Sequence, residues 1–223
     1  MVPPSLLEVS DYDAQTAAAP RMSEEEFVAW ATSEIHAEWV NGEVILMSPA
    51  AVRHVRITSW LNQVLGLYIR VKKLGELLGP ELMVRLRHSG VSRRVPDLLF
   101  VPQANMDRLK TNHLEGPPDL AIEIVSPESR NRDWRDKFLE YEASGVLEYW
   151  IIDPATETLQ ASVRNADGKF VNVEPAADGV LHSATVSGFW IKPEWLWLPE
   201  LPDPLECLRL LGVLSATVGT RDL

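Results

Sequence analysis

Two carboxylates lie inside apolar, strand-like segments of the sequence. Glu123 lies in LAIEIV (120–125), and Asp97 lies in RVPDLLFV (94–101). Burying a carboxylate is costly unless it is paired, hydrogen-bonded or bound to a metal. If the two strands are neighbours, the carboxylates come close together and need a cation between them. Oxygen ligands without a Cys or His cluster favour Mg²⁺ or Mn²⁺ over zinc, so the pair predicts a divalent-cation site.

A third carboxylate competes with Asp97 for the partnership with Glu123. Asp119 precedes Glu123 on the same strand, and at roughly 3.3 Å per residue it lies about 13 Å away, too far to share an ion. Asp97 is therefore the predicted partner. The alternative for Asp97 and for Glu123 is an ordinary position at an exposed strand end or cap.

A helix predicted from about Asn131 to Ala143 follows the strand of Glu123. Asp133, Lys137 and Tyr141 are spaced four residues apart and share one face of such a helix. The first turns of this helix lie near the end of the strand, so Lys137 can direct its ammonium toward whatever group a bound metal ion holds. The alternative is a surface salt bridge between Lys137 and Asp133, worth about 0–1 kcal/mol.

The N-terminal half predicts helices and a hairpin around these residues. Ser23 and Glu26 form a capping-box pattern that opens a helix reaching about Thr32. EWVNGEVILMS (38–48) predicts a hairpin turning at Asn41-Gly42. Apolar residues at helical spacing predict a long amphipathic helix over 53–73.

The following segments predict the sheet. GELLGPELMVRLRH (75–88) and VPDLLFVP (95–102) look like two strands separated by a turn, SGVSRR (89–94). LAIEIV, the helix and LEYWIID (147–153) predict a right-handed crossover between parallel strands, with LAIEIV central in the sheet. After Pro154 the sequence predicts hairpins, with turns at Asp167-Gly168 and Asp178-Gly179.

Length and composition predict one substantial core. The expected organisation is a mobile leader of 1–21, a single domain of 22–200 and a C-terminal tail of 201–223. The leader has no basic segment followed by a long apolar run, so neither a signal peptide nor a membrane span is predicted. The single cysteine, Cys207, excludes an intramolecular disulfide and fits the reduced cytoplasm.

The formal net charge of −11 argues against non-specific adhesion to nucleic acid or anionic lipid. Eight basic residues nevertheless form two local clusters that could hold a phosphate backbone. They are Arg85, Arg87, Arg93 and Arg94 in the first cluster and Arg130, Arg132, Arg135 and Lys137 in the second. The alternative for either cluster is solvated surface charge.

The combined motifs resemble the Uma-two family, a group of endonucleases in the PD-(D/E)xK, restriction-endonuclease-like superfamily. The resemblance spans roughly 22–200 and includes Pro96-Asp97, IEIVSP, RDWRDK, YEASGV and EYWIIDP. Upstream, HAEWVNGEVILMSPAAVRHVRI (36–57) is similar to the family pattern at Glu38, Gly42, Glu43 and His54.

The resemblance implies an α/β (α+β) fold, in which a mixed β-sheet core is flanked by helices. An N-terminal helix plus hairpin precedes this core, and C-terminal β-hairpins follow it. It also implies a metal site formed by Asp97, Glu123 and the main-chain carbonyl of Ile124. The superfamily's usual lysine position, two residues after the glutamate, is Val125 here. Lys137, from the next helix, is the predicted substitute.

The implied activity is metal-dependent hydrolysis of phosphodiester bonds in DNA. Asp97 and Glu123 would hold one or two Mg²⁺ or Mn²⁺ ions, while Lys137 orients the water or stabilises the transition state. Glu38 would supply a further ligand through water, or would instead pair with an arginine at a strand end.

Further residues have supporting roles in this interpretation. His54 has either a direct role or a capping role, and Tyr141 packs against Lys137 or orients it. The predicted phosphate contacts are Arg130, Arg132, Arg135, Arg93 and Arg94. Trp190, Trp195 and Trp197 are predicted to pack in the core or at a subunit interface rather than to stack on bases.

Oligomeric state and competing functions follow partly by analogy. Dimerisation is expected because cutting both strands of a duplex needs two sites. The competing hypothesis is a nuclease-like module that binds nucleic acid or regulates without turnover, since Val125 replaces the usual lysine. A serine or thiol hydrolase is disfavoured, because Ser126 lies in no G-x-S-x-G turn and Cys207 has no nearby histidine in the sequence.

Overall fold

Two large β-sheets, one two-stranded sheet and a few helices form the described part of the chain. The computed structural model describes residues 21–31, 35–127 and 129–214. All of the predicted leader except Arg21 lies outside the described residues. The architecture is α/β with mixed sheets and flanking helices, which confirms the predicted fold class.

The five-stranded sheet consists of β1 (Ala37–Val40), β2 (Glu43–Leu46), β4 (Met83–Arg87), β5 (Val91–Arg94) and β7 (His113–Glu115). Its strand order is β2-β1-β5-β4-β7. β1 and β2 form the predicted hairpin, in which Asn41 and Gly42 both have positive φ, 48° and 96°. This combination is typical of the tight hairpin turn that Asn-Gly favours.

The six-stranded sheet consists of β3 (Gly75–Leu78), β6 (Leu98–Pro102), β8 (Leu120–Ile124), β9 (Glu148–Asp153), β10 (Thr158–Arg164) and β11 (Phe170–Val173). Its strand order is β11-β10-β9-β8-β6-β3. β8 is an interior strand, fully buried, and pairs with β9 in parallel, as predicted. A short pair, β12 (Leu181–His182) and β13 (Trp190–Ile191), follows.

Helices cover both faces of the six-stranded sheet. The long helix α2 (Val52–Lys72) packs Ile57, Leu61 and Leu65 against Ile122 and Ile124 of β8. The opposite face, which includes Ala121 and Val125, packs against the helix that precedes β9. Because side chains alternate along a strand, Glu123 faces that second helix rather than α2.

The helix that precedes β9 departs from the regular α-helix that was predicted. Arg132–Lys137 is π-helical, and α3 (Phe138–Ser144) continues from it. α3 ends at Gly145, whose φ of 95° gives the predicted left-handed C-terminal residue. Single π turns of this kind are frequent at functional sites.

The segment predicted as the turn SGVSRR contains a strand. Val91–Arg94 forms β5, which pairs with β1 and β4. The prediction was wrong because Ser92, Arg93 and Arg94 are polar yet buried. Their polar atoms form hydrogen bonds with acidic side chains. The segment therefore lacks the alternation of apolar and polar residues that identifies a half-buried strand.

The N-terminal and C-terminal helices complete the fold. α1 (Glu24–Trp30) begins with the predicted capping box between Ser23 and Glu26. α4 (Pro204–Leu210) buries Cys207 and Leu208 in the core around α2, so the packed core extends beyond residue 200. The three tryptophans at 190, 195 and 197 are partly buried against the same core. No helix in the described ranges is long and apolar enough to cross a membrane.

Candidate active site

The end of β8 and the residue before β6 bring two acidic residues near each other. The antiparallel register pairs Leu98 with Ile122, and Asp97 comes directly before Leu98. Asp97 also contacts the main chain of Ile124, which is the neighbour of Glu123 on β8. Glu123 is buried, whereas Asp97 is half-buried.

Lys137 brings an ammonium into contact with three carboxylates. Its Nζ lies 2.9 Å from Glu123 Oε2, 3.1 Å from Glu38 Oε1 and 3.4 Å from Asp133 Oδ1. The lysine side chain is 2% exposed. The contact with Asp133 is therefore part of a buried cluster and not a surface salt bridge.

Glu38 joins this cluster from β1, in the other sheet. Its Oε2 accepts a hydrogen bond from Arg94 Nη1 at 2.9 Å, and its Oε1 accepts one from the Val95 N–H at 3.1 Å. Arg132 Nε lies 3.9 Å from Oε2. The sequence left two roles open for Glu38, and the structure shows it paired with an arginine and with Lys137 at the same time.

Tyr141 and Asp133 lie on the same helix, and each is fixed by a hydrogen bond to a residue outside it. The Tyr141 hydroxyl donates to Glu123 Oε1 at 2.8 Å, so its polar partner is Glu123 and not Lys137. Asp133 Oδ2 accepts a hydrogen bond from the Ser129 hydroxyl. Asp133 Oδ1 is buried without a hydrogen-bond partner.

Asp97 is held by two contacts of its own. Its Oδ1 lies 2.9 Å from His54 Nε2, and its Oδ2 accepts a hydrogen bond from the Ile124 N–H at 2.7 Å. The Ile124 main chain thus meets Asp97 through its N–H, whereas the sequence prediction concerned its carbonyl. Burial is the largest single effect on the pKa of His54 and lowers it, but the hydrogen bond and the charge of Asp97, together with the Ile124 main chain and Asp133, raise the pKa above its ordinary value.

Burial and crowding of negative charge raise the pKa of Glu123. Burial is the largest cause, and Asp133, Asp97 and Glu38 add to it, so that the pKa reaches about 8 despite Lys137. Burial likewise raises the pKa of Asp133 against the attraction of Lys137. At Glu123 and Asp133, burial together with the neighbouring carboxylates therefore outweighs the attraction of Lys137.

Glu38 and Lys137 are shifted toward their charged forms. Burial alone would raise the pKa of Glu38, but Lys137, Arg94 and Arg132 lower it to about 2. Burial alone would lower the pKa of Lys137, but Glu123, Glu38 and Asp133 raise it above its usual value. Lys137 is therefore an ammonium at neutral pH.

The arginines predicted to contact phosphate have different surroundings. Arg94 is buried against Glu38 and Glu140, and Arg93 pairs with Glu24 at 2.8 Å. These contacts place both guanidinium groups inside the protein. Arg93 and Arg94 are thus largely buried and already paired with carboxylates.

The second basic cluster has a more open position. Arg130 Nη1 binds Asp153 at 2.8 Å but its side chain is 43% exposed. Arg132 is partly buried beside Glu38, and Arg135 is exposed on the π-helical segment. Among these three, Arg130 and Arg135 have the accessible guanidinium groups.

The carboxylates of this region are of the chemical type that divalent cations bind. Asp97, Glu123, Asp133 and Glu38 supply oxygens of the kind that Mg²⁺ and Mn²⁺ prefer, and Asp133 Oδ1 has no hydrogen-bond partner. Among the described residues, however, Glu38, Glu123 and Asp133 face Lys137, and no group of three or more His, Cys, Asp or Glu side chains has an arrangement that could hold a metal ion.

A mixed sheet that gathers acidic side chains and a lysine places the protein among restriction-endonuclease-like folds. Residues 24–194 match the Uma2 family, described as a putative restriction endonuclease. The chain therefore belongs to the Uma2 family, the Uma-two family that the sequence resembles. Membership supports a nuclease-like function.

A solved structure shares the fold. The crystal structure of a putative nuclease of the DUF820 family from Anabaena variabilis aligns with a TM-score of 0.65 and 20% identity. The alignment covers 79% of this chain and 97% of that one. No curated protein matches the sequence at a significant level.

Sequence reasoning missed several residues that shape the site. Glu140 binds Arg94, Ser129 binds Asp133, and the Tyr149 hydroxyl donates to the Asp133 main-chain oxygen at 3.1 Å. Arg94 was assigned only to phosphate binding. No local signal identified its acidic partners, because Glu140 and Glu38 lie far from Arg94 in the sequence.

Proposed function

We propose that the protein is a metal-dependent endonuclease that hydrolyses phosphodiester bonds of DNA, with Mg²⁺ or Mn²⁺ as its cofactor. The observation that carries the proposal is the approach of Lys137 Nζ to Glu123 Oε2, at 2.9 Å, in a buried group of carboxylates. Family membership supports the same reaction class.

Asp97 and Glu123, with the main-chain carbonyl of Ile124, are the residues proposed to hold the ion. A bound divalent ion would lower the pKa of a water molecule and polarise the phosphate. His54 and the Ile124 N–H orient Asp97, and Tyr141 orients Glu123. These hydrogen bonds fix the carboxylates before any substrate arrives.

Lys137 acts as a fixed positive charge and not as a general base. Its pKa is raised by the surrounding carboxylates, so it stays protonated at neutral pH and cannot accept a proton from water. An ammonium in a site of low dielectric constant stabilises the negative charge that develops on a phosphate during attack. Its N–H groups can also orient the attacking water.

Three further features belong to the proposal. Arg130, Arg132 and Arg135 lie on the segment that leads into the site and would contact the phosphate backbone. Cleavage of both strands would require a homodimer.

The cytoplasm is the proposed location, because Cys207 is a free buried thiol. Burial raises the pKa of that thiol to about 11, which disfavours a thiol hydrolase.

A plasmid-cleavage assay tests the proposal. Wild type with Mg²⁺ or Mn²⁺ is expected to nick or linearise supercoiled DNA, and Asp97→Asn or Glu123→Gln is expected to abolish this. Glu174→Gln is the control, since Glu174 is exposed on the loop after β11. Equal cleavage by wild type and both site variants would refute the proposal. DNA binding that weakens with salt, without cleavage in either metal, would support the nuclease-like binding module instead.

A further inference from the structure

A chain of alternating charges runs from the helix surface into the candidate site. Glu140 Oε2 accepts from Arg94 Nε at 2.8 Å, and Arg94 Nη1 donates to Glu38 Oε2 at 2.9 Å. Glu38 Oε1 then lies 3.1 Å from Lys137 Nζ, which contacts Glu123 Oε2 at 2.9 Å. Four contacts thus connect Glu140 with Glu123.

This chain leaves the helix and returns to it. Glu140 and Lys137 lie three residues apart on the same helix, whereas Arg94 belongs to β5 and Glu38 to β1. The contacts therefore close a loop between the helix and the five-stranded sheet. The Ser92 hydroxyl donates to Glu140 as well, so β5 holds that carboxylate at two points.

We propose that Glu140 and Arg94 are positioning residues, which act on Lys137 through Glu38. Glu140 occupies the Nε side of the Arg94 guanidinium, and this orients Nη1 toward Glu38. A planar guanidinium fixed at two edges holds its partners in one geometry. Glu38, fixed in turn, directs the flexible lysine side chain toward Glu123.

This role is distinct from phosphate binding. The Arg94 side chain is 4% exposed, and its donors face Glu38 and Glu140. Glu140, at the other end, is 17% exposed. Changing Glu140 therefore alters the outer end of the chain of contacts without removing a side chain from the middle of the core.

Glu142 supplies a matched control. It lies on the same helix, pairs with Lys169 at 2.9 Å and accepts from the Phe170 N–H at 2.7 Å. Glu142→Gln therefore makes the same chemical change to another paired glutamate of α3. Glu142 has no contact with Arg94, Glu38 or Lys137 among the hydrogen bonds and ion pairs of the described residues.

The test combines a spectroscopic signal with kinetics. In full-length protein labelled with ¹⁵N-lysine, the Lys137 ammonium should give a protected NMR signal, assigned by its loss in Lys137→Met. Glu140→Gln and Arg94→Lys should shift or abolish that signal, Glu140→Asp should partly restore it, and Glu142→Gln should leave it unchanged. The rate constant kcat for DNA cleavage should fall about 10–100-fold in Glu140→Gln, with little change in KM.

The kinetic arm rests on the proposed nuclease function, whereas the NMR arm does not. If wild type cleaves no DNA, the function fails and the ammonium signal still decides the positioning role. That role is overturned if the wild-type signal is absent, if Glu140→Gln leaves it unchanged, or if Glu142→Gln perturbs it equally. Glu140→Asp and Arg94→Lys keep the test decisive if Glu140→Gln fails to fold.

Discussion

Lys137 Nζ lies 2.9 Å from Glu123 Oε2, although the lysine comes from a helix and the glutamate from a β-strand. The strand itself offers no lysine, because the residue two positions after Glu123 is the buried Val125. The π-helical segment supplies the amine from the facing layer. The contact between the Lys137 ammonium and the Glu123 carboxylate therefore depends on the packing of the helix against the strand.

Lys137→Met should slow cleavage strongly and destabilise the fold. Removing one partner of a buried ion pair costs about 3–5 kcal/mol, because the remaining charges stay buried. Loss of a preorganised positive group lowers kcat by about 10²–10³. Urea unfolding and plasmid cleavage measure the two effects.

Lys169→Met is the control for that substitution. Lys169 pairs with Glu142, but its side chain is 70% exposed, and an exposed ion pair is worth about 0–1 kcal/mol. This variant should keep both activity and stability. Near-normal cleavage by Lys137→Met would remove the lysine from the mechanism.

Stability of the metal-free protein should change with pH through Glu123. Its folded pKa of about 8 exceeds its ordinary value of 4.5, so the folded state binds this proton more tightly than the unfolded state. The free energy of unfolding therefore falls as the pH rises from about 4.5 to about 8. Glu38, with a pKa of about 2, has the opposite effect: its stabilisation is lost as the pH falls from about 4.5 to about 2.

Glu123→Gln isolates the first of these effects. Relative to wild type, the variant should gain about 1–3 kcal/mol of unfolding free energy between about pH 5 and about pH 9. Urea titrations at several pH values in the presence of a chelator measure this difference. A difference that stays constant over the whole range would contradict the raised pKa of Glu123.

The strands and helices with strong local patterns were predictable from the sequence. Asn41-Gly42 specified its hairpin turn, and the apolar run around Glu123 specified an interior strand. β5 was not predictable in this way, because Ser92 and Arg94 are buried by virtue of Glu140 and Glu38. Such partners are distant in sequence and become visible only when the sheets are assembled.

The residue types of the site were predictable, but its connections were not. Spacing brought Asp133, Lys137 and Tyr141 to one helix face, and all three are buried there. The pairing of Tyr141 with Glu123 rather than Lys137 depends on the height of the helix above the sheet. The helix contains the π-helical segment Arg132–Lys137, and no local signal in RDWRDK indicates it.

Tyr141→Phe should impair catalysis more than stability. The change removes the hydroxyl that donates to Glu123 Oε1 at 2.8 Å, at a cost of about 1–2 kcal/mol. Because Glu123 loses a contact that orients it, kcat should fall about 10-fold. Tyr68→Phe, which removes a hydroxyl bonded to the Ser187 main-chain oxygen at 3.0 Å, should cost similar stability and no activity. Equal activity in the two variants would show that Tyr141 has only a packing role.

Arg135→Gln should weaken DNA binding without altering the site. Arg135 is exposed on the π-helical segment, two residues before Lys137, so its guanidinium can reach a phosphate of bound DNA. Loss of one phosphate contact should reduce the slope of log Kd against log salt concentration by about 1. Fluorescence anisotropy with a labelled duplex at several salt concentrations, in Ca²⁺ or a chelator to prevent cleavage, measures that slope.

Arg209→Gln on α4, an exposed arginine paired with Glu206, controls for loss of one charge. An equal slope in both variants would show that the effect of Arg135 is general electrostatics and that the DNA does not pass over this segment.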